Sequence, residues 1–419
     1  MKKQFPIGFW NYVNVKKQTP DDVGDWKELG MTLANSPSFS EGDDPARMLA
    51  VLDACAENGI AVNVCDERTL WTDASVAPVA YEAKFRAAYD AFGHHPAVRG
   101  FHIGDEPLDD RSFADCEAAF AVQHRVAPEL RPFLNLNPYW KGIEKDLHCT
   151  DFSEWLAQLA KKTQMPAVSY DMYGQMAPQP GGVEDYFTNL RLFSAGAREA
   201  GVDLWTTLLC VGHYHYRCPN DDDFRWQINT AVASGVKGIM WFCIYEPSIS
   251  NYRLAPFDSF GERTATFSML SRANRSFLHR FGDFFTDAKF CGAYHFKQAF
   301  GGYPLFKPGE TDARLTAITT DYGESPAIVG FFEKEGQKCV ALVNNSQRES
   351  TLFHPHFSKK AGVASVSKMT WDGDFKPLTY NPSDVEFRET EDEIVLDAWL
   401  APGQMDLYRL EENTCTDRS

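Results

Sequence analysis

The sequence has 419 residues, 44% of them hydrophobic and 24% charged, which is ordinary for a soluble globular protein and long enough for a large core or two domains. Its formal net charge of −17 argues against a nucleic-acid partner, because the phosphates would be repelled. No apolar run suits a membrane span or a signal peptide, which predicts a cytoplasmic protein, although a secreted protein that has lost its signal peptide would look the same.

Ten cysteines are scattered along the chain, and no two of them form a CxxC pair. This spacing argues against a zinc ribbon or a redox motif. Several cysteines stand inside apolar runs, such as LLC at 208–210, where free buried thiols are usual. A reducing compartment is therefore expected.

Strand-like runs alternate with amphipathic, helix-like runs up to about residue 282. The predicted strands are 6–13, 30–36, 60–66, 98–105, 131–137, 167–173, 203–211 and 237–245. The predicted helices are 45–59, 83–93, 113–126, 152–163, 183–201, 222–235 and 264–282. Eight strand–helix units in roughly 275 residues predict a (β/α)8 (TIM) barrel over residues 1–282. A doubly wound sheet is the alternative, but it needs a glycine-rich loop after the first strand, and FWNYVNVKK has none.

Beyond about residue 285 the helical pattern stops and alternation with a period of two replaces it. The run 327–346 alternates around the turn Glu335-Gly336, and Asp372-Gly373 stands in a similar setting. We expect an all-β domain, a sandwich, over residues 285–412 and a frayed polar tail at 413–419. This region shows no clustered acids or histidines along the sequence, which predicts a supporting role.

The segment VRGFHIGDEP, residues 98–107, predicts a buried strand that ends in two acids, Asp105 and Glu106, before Pro107. Two adjacent carboxylates are costly to hold near an apolar interior, which indicates a function. The structural alternative is a solvated acid pair that caps the next helix. Because catalytic residues of a (β/α)8 barrel gather at the carboxyl ends of its strands, both acids are candidates.

The other predicted strand ends carry amides, aromatic rings and further acids. Asp171 stands at the end of the sixth strand, and Glu246 follows the eighth. The candidate substrate-binding residues are Trp10, Asn11, Asn63, His102, Asn137, Tyr139, Tyr170, Tyr173, His213 and Trp241. Sugars need this mixture of hydrogen-bonding groups and flat apolar faces, and two acids can cleave a glycosidic bond.

A metal site is the competing use of these residue types. Its best candidate ligands are His102, His213, His215 and Asp171. No HxH pair stands on the first strand, where a barrel metallohydrolase would carry one. We therefore favour a pocket with no metal and no cofactor, in which the histidines line a sugar site or are exposed.

These motifs resemble (β/α)8-barrel glycoside hydrolases with a C-terminal β-sandwich. Glu106 in GDEP is similar to the acid/base glutamate that ends the fourth strand in many retaining barrel glycosidases, a clan that includes β-galactosidases and cellulases. This chain departs from that clan twice, because Asp105 replaces its Asn and the seventh strand carries no acid. The Asp105-Glu106 pair is similar to the β-N-acetylhexosaminidases of families 20 and 123. The Tyr170-Asp171 pair resembles that of the family 18 chitinases, in which the substrate's acetamido group attacks and the Asp positions it.

The spacing of the strands suggests roles for the acids. Strands four and six stand two apart, so Glu106 and Asp171 can meet at the roughly 5 Å separation of a retaining pair. We expect Glu106 to be the general acid/base, Asp171 the nucleophile or stabiliser, and Asp105 a neighbour that raises the pKa of Glu106. Glu246, across the barrel, would suit an inverting pair or a substrate clamp.

The sequence thus predicts a glycosidase that acts on an oligosaccharide, a polysaccharide or a glycoconjugate, with a carbohydrate as its partner and neither nucleic acid nor membrane. A metal-dependent barrel isomerase or lyase that acts on a sugar is one alternative. A non-catalytic carbohydrate-binding protein is the other.

Overall fold

The computed structural model describes residues 4–179, 181–378, 380–381, 384–385 and 387–412, so the predicted tail at 413–419 lies outside the described residues. The chain forms two compact units, residues 1–219 with 236–275, and residues 220–235 with 276–419. Within the described ranges, no helix is both long and apolar enough to cross a membrane.

The first unit contains a barrel of eight parallel strands. They are β1 Ile7–Phe9, β2 Leu33–Asn35, β3 Ala61–Val64, β4 Val98–Asp105, β5 Phe133–Leu136, β6 Ala167–Asp171, β7 Asp203–Leu209 and β8 Gly238–Phe242. Neighbours pair in the order β1-β8-β7-β6-β5-β4-β3-β2, and across the seam between β1 and β2 the N–H of Thr32 donates to the carbonyl oxygen of Ile7 at 2.9 Å. The predicted (β/α)8 barrel is confirmed, and each strand lies within its predicted range.

Helices follow the strands in sequence. They are α1 Asp22–Glu28, α2 Pro45–Asn58, α3 Pro78–Ala88, α4 Asp110–Val126, α5 Ile143–Asp146, α6 Phe152–Thr163, α7 Gly182–Ala200, α8 Asp221–Ala233 and α9 Ala265–Phe277. Asp109 and Ser112 form a capping box that begins α4, with the Ser112 N–H donating to the Asp109 side chain at 2.7 Å. All of these helices belong to the first unit except α8 and the last two residues of α9.

Large apolar side chains fill the interior of the barrel. Trp10, Phe133, Trp205 and Met240 belong to one buried cluster, in which Trp10 directly follows β1 and the other three lie on β5, β7 and β8. Side chains alternate between the two faces of a strand, so Asn135, two residues after Phe133, shares the inward face of β5. This alternation decides which strand-end residues face the candidate site.

The second unit is a β-sandwich, as the sequence predicts. Its main strands are β9 Lys289–Phe296, β10 Leu315–Tyr322, β11 Ala327–Lys334, β12 Gln337–Asn344, β13 Thr351–Ser358, β14 Val363–Met369, β15 Phe375–Pro377, β16 Tyr380–Asn381, β17 Asp384–Val385, β18 Phe387–Glu389, β19 Glu393–Leu396, β20 Ala398–Leu400 and β21 Met405–Glu412, preceded by helix α10 Asp283–Asp287. One sheet has the order β15-β14-β21-β12-β11-β9, and the other has β10-β13-β19-β18 with β20 paired to β13. Glu335 and Gly336, with φ of 53° and 78°, make the predicted turn between β11 and β12.

Helix α8 packs within this second unit, although it lies between β7 and β8 in sequence. The indole N–H of Trp226 donates to Asn345 Oδ1 at 3.0 Å, and Asn229 Nδ2 donates to the carbonyl oxygen of Gly403 at 2.8 Å. A Cβ on Gly403 would stand 2.4 Å from the Cα of Trp226, so this close approach requires glycine.

Candidate active site

Three carboxyl groups converge around one amide at the carboxyl ends of β4, β5 and β6. The Nδ2 group of Asn135 donates to Asp105 Oδ1 at 3.1 Å and to Asp171 Oδ1 at 2.9 Å. The hydroxyl of Ser169 donates to Asn135 Oδ1 at 3.0 Å, which fixes the orientation of the amide. Because both amide hydrogens are used, Asn135 holds Asp105 and Asp171 at a set separation.

Glu106 is held beside this cluster by an unusual backbone. Its φ is 48°, in the left-handed region, and its N–H donates to the carbonyl oxygen of Asn135 at 2.9 Å. Non-glycine residues in this region are uncommon and cluster at functional sites. The following loop is held by Asn137, whose Nδ2 donates to the carbonyl oxygen of Pro107 at 3.0 Å. The next helix is capped by Asp109, so capping does not account for Asp105 and Glu106.

Burial is the largest cause that raises the pKa of each of the three carboxyl groups. Asp105 was expected to raise the pKa of Glu106, but the Glu106 charge instead raises the pKa of Asp105. Burial, with a smaller contribution from the Glu106 charge, raises the pKa of Asp105 to about 6. Burial followed by the Glu106 charge raises the pKa of Asp171 well above its ordinary range. Burial also raises the pKa of Glu106, although a hydrogen bond with Asp171 opposes this rise. Glu106 and Asp171 are therefore a hydrogen-bonded pair of carboxyl groups in which burial raises the pKa of both members.

An aromatic wall stands beside Asp171. Burial raises the pKa of Tyr173, which hydrogen-bonds Asp171, and its ring lies 5.5 Å from that of Phe242. His213 stacks on Tyr252 with ring centroids 5.1 Å apart, and burial lowers the pKa of His213 to about 4. Tyr12, which is 58% exposed, contacts Phe242 edge-on. This wall is uncharged at neutral pH and offers flat apolar surface beside the acids.

The floor of the site is also neutral. Trp10 stacks beneath Tyr12 with ring centroids 6.2 Å apart and meets His102 edge-on at 5.4 Å. The indole N–H of Trp10 donates to Thr207 Oγ1 at 3.2 Å. Burial lowers the pKa of His102 to about 4, so His102 adds no positive charge beneath the carboxyl groups.

Three other predicted residues bond to side chains outside the carboxyl cluster. Asn11 Nδ2 donates to Gln18 Oε1 at 2.8 Å. Asn63 is fully buried, and its Nδ2 donates to Asn35 Oδ1 at 3.2 Å. The Tyr139 hydroxyl donates to Glu144 Oε1 at 2.7 Å within the loop after β5.

Two predicted aromatic residues point away from the barrel interior. Tyr170 stacks on Phe193 of α7 with ring centroids 4.0 Å apart, and its neighbour Asp171 takes the opposite face of β6. The Trp241 indole N–H donates to Asn274 of α9 at 3.0 Å. Both rings pack between strand and helix, because they occupy the outward positions of their strands.

Glu246 and His215 lie in the loops that follow β8 and β7. The N–H of Glu246 donates to the carbonyl oxygen of Phe257 at 2.9 Å. Burial raises the pKa of the Cys243 thiol, and the Glu246 charge adds a smaller rise. His215 is exposed and lies against Tyr216. Among the residues that the structure describes, no group of three or more His, Cys, Asp or Glu side chains is arranged to hold a metal ion.

Sequence analysis did not select several residues that build the site. They are Asn135, Tyr12, Trp71, Phe242 and Tyr252. Asn135 and Tyr12 follow predicted strands at the positions where the barrel gathers its chemistry, so their position was available as a signal. Trp71 and Tyr252 lie in loops, and no pattern in the sequence places loop side chains.

As far as the chain is described, the exposed large apolar side chains of the first unit all lie at the end of the barrel where the strands reach their carboxyl ends. Each stands between a strand end and the first turn of the next helix: Tyr12, Leu70, Val76, Val79, Leu108, Trp140, Tyr214, Ile249, Leu254 and Phe260. Apolar exposure confined to one rim is typical of a ligand-binding face.

Solved structures share this fold at low sequence identity. A family 5 glycoside hydrolase from Bacteroides vulgatus ATCC 8482 has a TM-score of 0.56 at 12% identity, covering 97% of this chain and 89% of that chain. A protein described as a glycoside hydrolase has a TM-score of 0.55 at 12% identity over 98% and 93%. A family 39 glycoside hydrolase from the gut symbiont Bacteroides cellulosilyticus WH2 has a TM-score of 0.53 at 10% identity over 98% and 81%. No protein-family model and no curated protein sequence matches the chain. The chain therefore has the (β/α)8 barrel fold of these glycoside hydrolases.

Proposed function

We propose that this protein is a glycoside hydrolase in which Glu106 and Asp171 carry out the chemistry. The observation that supports this most directly is the Asn135 amide, which joins Asp105 and Asp171 beside a Glu106 that is hydrogen-bonded to Asp171. A pair of carboxyl groups with one proton between them provides both the acid and the base that glycosidic cleavage needs. The uncharged aromatic wall suits the C–H face of a sugar ring.

The proposed reaction retains the anomeric configuration. A proton passes from Glu106 to the glycosidic oxygen as the C1–O bond breaks and the leaving group departs as an alcohol, while Asp171 acts as a carboxylate. This carboxylate either bonds to C1 or orients a 2-acetamido group of the substrate that does so. Water then attacks C1 as the bond from C1 to Asp171, or to the acetamido oxygen, breaks. The attacking water gives a proton to Glu106, and the freed carboxylate or acetamido group restores the starting state. A hydrogen bond brings the Glu106 and Asp171 carboxyl groups to a separation nearer the roughly 5 Å of a retaining pair than the roughly 6.5–9.5 Å of an inverting pair, which supports retention.

The first test is hydrolysis of a panel of aryl glycosides with and without a 2-acetamido group. On the best substrate with a poor leaving group, Glu106→Gln is expected to lower kcat on the order of 10²–10⁴-fold, because it keeps the shape and removes the proton. Glu262→Gln, at an exposed acid in the segment after β8, is the matched control. A wild-type rate in Glu106→Gln would overturn the assignment.

Proton NMR of the first-formed product tests the stereochemistry. Retention is expected, and inverted product would transfer the role of base to Glu246. Asp171→Ala separates the two retaining routes, because azide should rescue a lost nucleophile and should not rescue a lost orienting group. Loss of activity in chelator would favour the metal-dependent isomerase or lyase instead.

A further inference from the structure

The sandwich carries a pair of exposed aromatic rings far along the chain from the carboxyl cluster. Tyr322 of β10 is 65% exposed and Trp399 of β20 is 56% exposed. Their rings stack on each other with centroids 5.7 Å apart and an interplanar angle of 22°. The strand register sets Leu352 of β13 between them, paired with Tyr322 on one side and with Trp399 on the other.

This arrangement forms one apolar strip across three strands. Leu352 is only 8% exposed, so the two rings cover it and lean towards each other above it. Two large rings left open on the same sheet face are unfavourable in water unless something binds them. Their mutual stacking fixes their orientation before any ligand arrives, which lowers the entropic cost of binding.

Polar side chains border the strip and are themselves held in place. His354, two residues after Leu352 and on the same face, has Nδ1 2.7 Å from Asp397 Oδ1 and Nε2 3.2 Å from Asp321 Oδ2. Arg388 reaches the same Asp397 oxygen at 3.1 Å. These residues are dispersed along the sequence, and strand pairing brings them together in the fold.

We propose that this surface, formed by Tyr322, Leu352, Trp399, Asp321, Asp397 and Arg388 and called here the Trp399 face, is a second saccharide-binding site for a neutral oligosaccharide or polysaccharide chain. The inference deepens the proposed function, because it takes the bound chain to be the substrate polymer. Sugar rings present flat C–H faces that pack on aromatic rings, and hydroxyl groups that bond to carboxylates and guanidinium groups.

Charge argues for an uncharged, hydroxyl-rich ligand. Asp321 is 63% exposed and Arg388 is 58% exposed, so both signs of charge border the same strip. A strongly acidic partner would be repelled by Asp321, and a strongly basic partner would be repelled by Arg388. A protein partner is the competing occupant, but the cores of protein interfaces are depleted of charged residues, and here charges flank two rings closely.

The test is affinity electrophoresis in native gels that contain hydroxyethyl cellulose, xylan, galactomannan or glycol chitin. Every variant is made in the Glu106→Gln background so that the polymer is not digested. At least one polymer is expected to retard the parent, and Trp399→Ala and Tyr322→Ala are each expected to weaken that retardation by about tenfold in apparent Kd. Trp399→Phe, which keeps a ring, should restore most of it.

Trp371→Ala is the matched control, because Trp371 is also on the sandwich and 70% exposed, but its ring faces Arg280 rather than a second aromatic ring. It should leave the retardation unchanged, and the melting temperature of each variant checks its folding. Retardation by no polymer, or equal retardation of the parent and Trp399→Ala, would overturn the inference. So would light scattering that shows Trp399→Ala converting a dimer to a monomer, since the face would then join two copies of the chain.

The hydrolysis panel separates this inference from the proposed function. Wild-type hydrolysis without Trp399-dependent retardation would overturn the Trp399 face alone. Trp399-dependent retardation without hydrolysis of any glycoside would overturn the proposed function and support a saccharide-binding role for the sandwich.

Discussion

The amide of Asn135 decides the geometry of the candidate site at the scale of single residues. It donates to Asp105 and Asp171, and these hydrogen bonds oppose the rise that burial causes in the pKa of each carboxyl. We read Asn135 as a positioning residue, because it acts on the reacting groups through the carboxylates.

Asn135→Ala is expected to lower kcat by roughly 10²-fold, the usual cost of losing one preorganised donor. Without the amide, the pKa of both Asp105 and Asp171 should rise, so the pH profile of kcat/KM should shift towards higher pH. A merely structural role would lower activity without moving the profile. Asn11→Ala is the control, because that amide bonds Gln18 and not the carboxylates.

The raised carboxyl pKa values also predict how stability depends on pH. Folding raises the pKa of Asp105 from its ordinary 3.8 to about 6 and that of Asp171 further. As the pH rises, these two carboxyl groups therefore lose their protons in the unfolded chain before they do in the folded protein. The stability that they contribute is complete below about pH 4, and it is lost as the pH rises through about 6 for Asp105 and through a higher pH for Asp171. The rest of the fold must offset the stability that these buried carboxyl groups lose at neutral pH.

Asp171→Asn is expected to raise the melting temperature at pH 7.5, by roughly 1 °C for each kcal/mol gained in a chain of this length, and to have less effect at pH 4.5. Asp43→Asn is the opposite control, because Lys16, Ser40 and Asn14 lower the pKa of Asp43 to about 2. That substitution should destabilise the protein at pH 7.5. Thermal scans at both pH values check the signs, and a lower melting temperature for Asp171→Asn at pH 7.5 would contradict the reasoning.

The tip of β4 shows how one element sets the site. Gly104 has a φ of 155°, and a Cβ there would stand 2.1 Å from Nε1 of the Trp71 indole. The indole therefore packs directly on the backbone that precedes Asp105 and Glu106. This contact needs a residue without a side chain.

Gly104→Ala is expected to cost about 1–3 kcal/mol of stability and to lower kcat, because either Trp71 or the strand tip must move. Gly201→Ala, at the end of α7, is the control: its φ is 73°, and a Cβ there meets nothing within 4 Å. The control measures the cost of backbone conformation alone. Denaturant unfolding and steady-state rates are compared, and equal effects in both variants would show that the Trp71 contact is unimportant.

The hydrophobic periodicity of the sequence explains why the strands and helices could be predicted. It does not determine which way a single side chain faces, so the roles of single side chains were harder to predict. All eight barrel strands lie within their predicted ranges, because parallel strands buried on both faces have nearly continuous apolar sequences. The same runs hide which residue faces inward: Tyr170 and Asp171 are neighbours, yet Tyr170 packs on α7 and Asp171 joins the carboxyl cluster. Helix α1, Asp22–Glu28, was not predicted, because its seven residues give too short a pattern.

At the scale of the whole molecule, the boundary between the two units is not a single point near residue 285, where the periodicity of the sequence changes. Helix α8 follows β7 in sequence, as a barrel helix does, but it belongs with the sandwich in the second unit. Contacts within a unit come from pairing between distant segments, which a pattern read along the chain does not contain. For the same reason, the sequence did not indicate the cluster of His354, Asp321, Asp397 and Arg388.

Truncation after residue 282 tests this division. The shortened chain would remove Asn345 and Gly403, which bond Trp226 and Asn229 of α8, and Trp226 is only 1% exposed in the full chain. Exposing this ring and leaving buried amide partners unpaired is expected to cost several kcal/mol, on the order of 3–5 for losing the packing of an aromatic side chain alone. Residues 1–282 should therefore express as insoluble or loosely folded protein, whereas residues 1–412, which lack only the tail, should melt like the full chain. A fragment 1–282 that unfolds cooperatively at the temperature of the full chain would show that α8 does not need the sandwich.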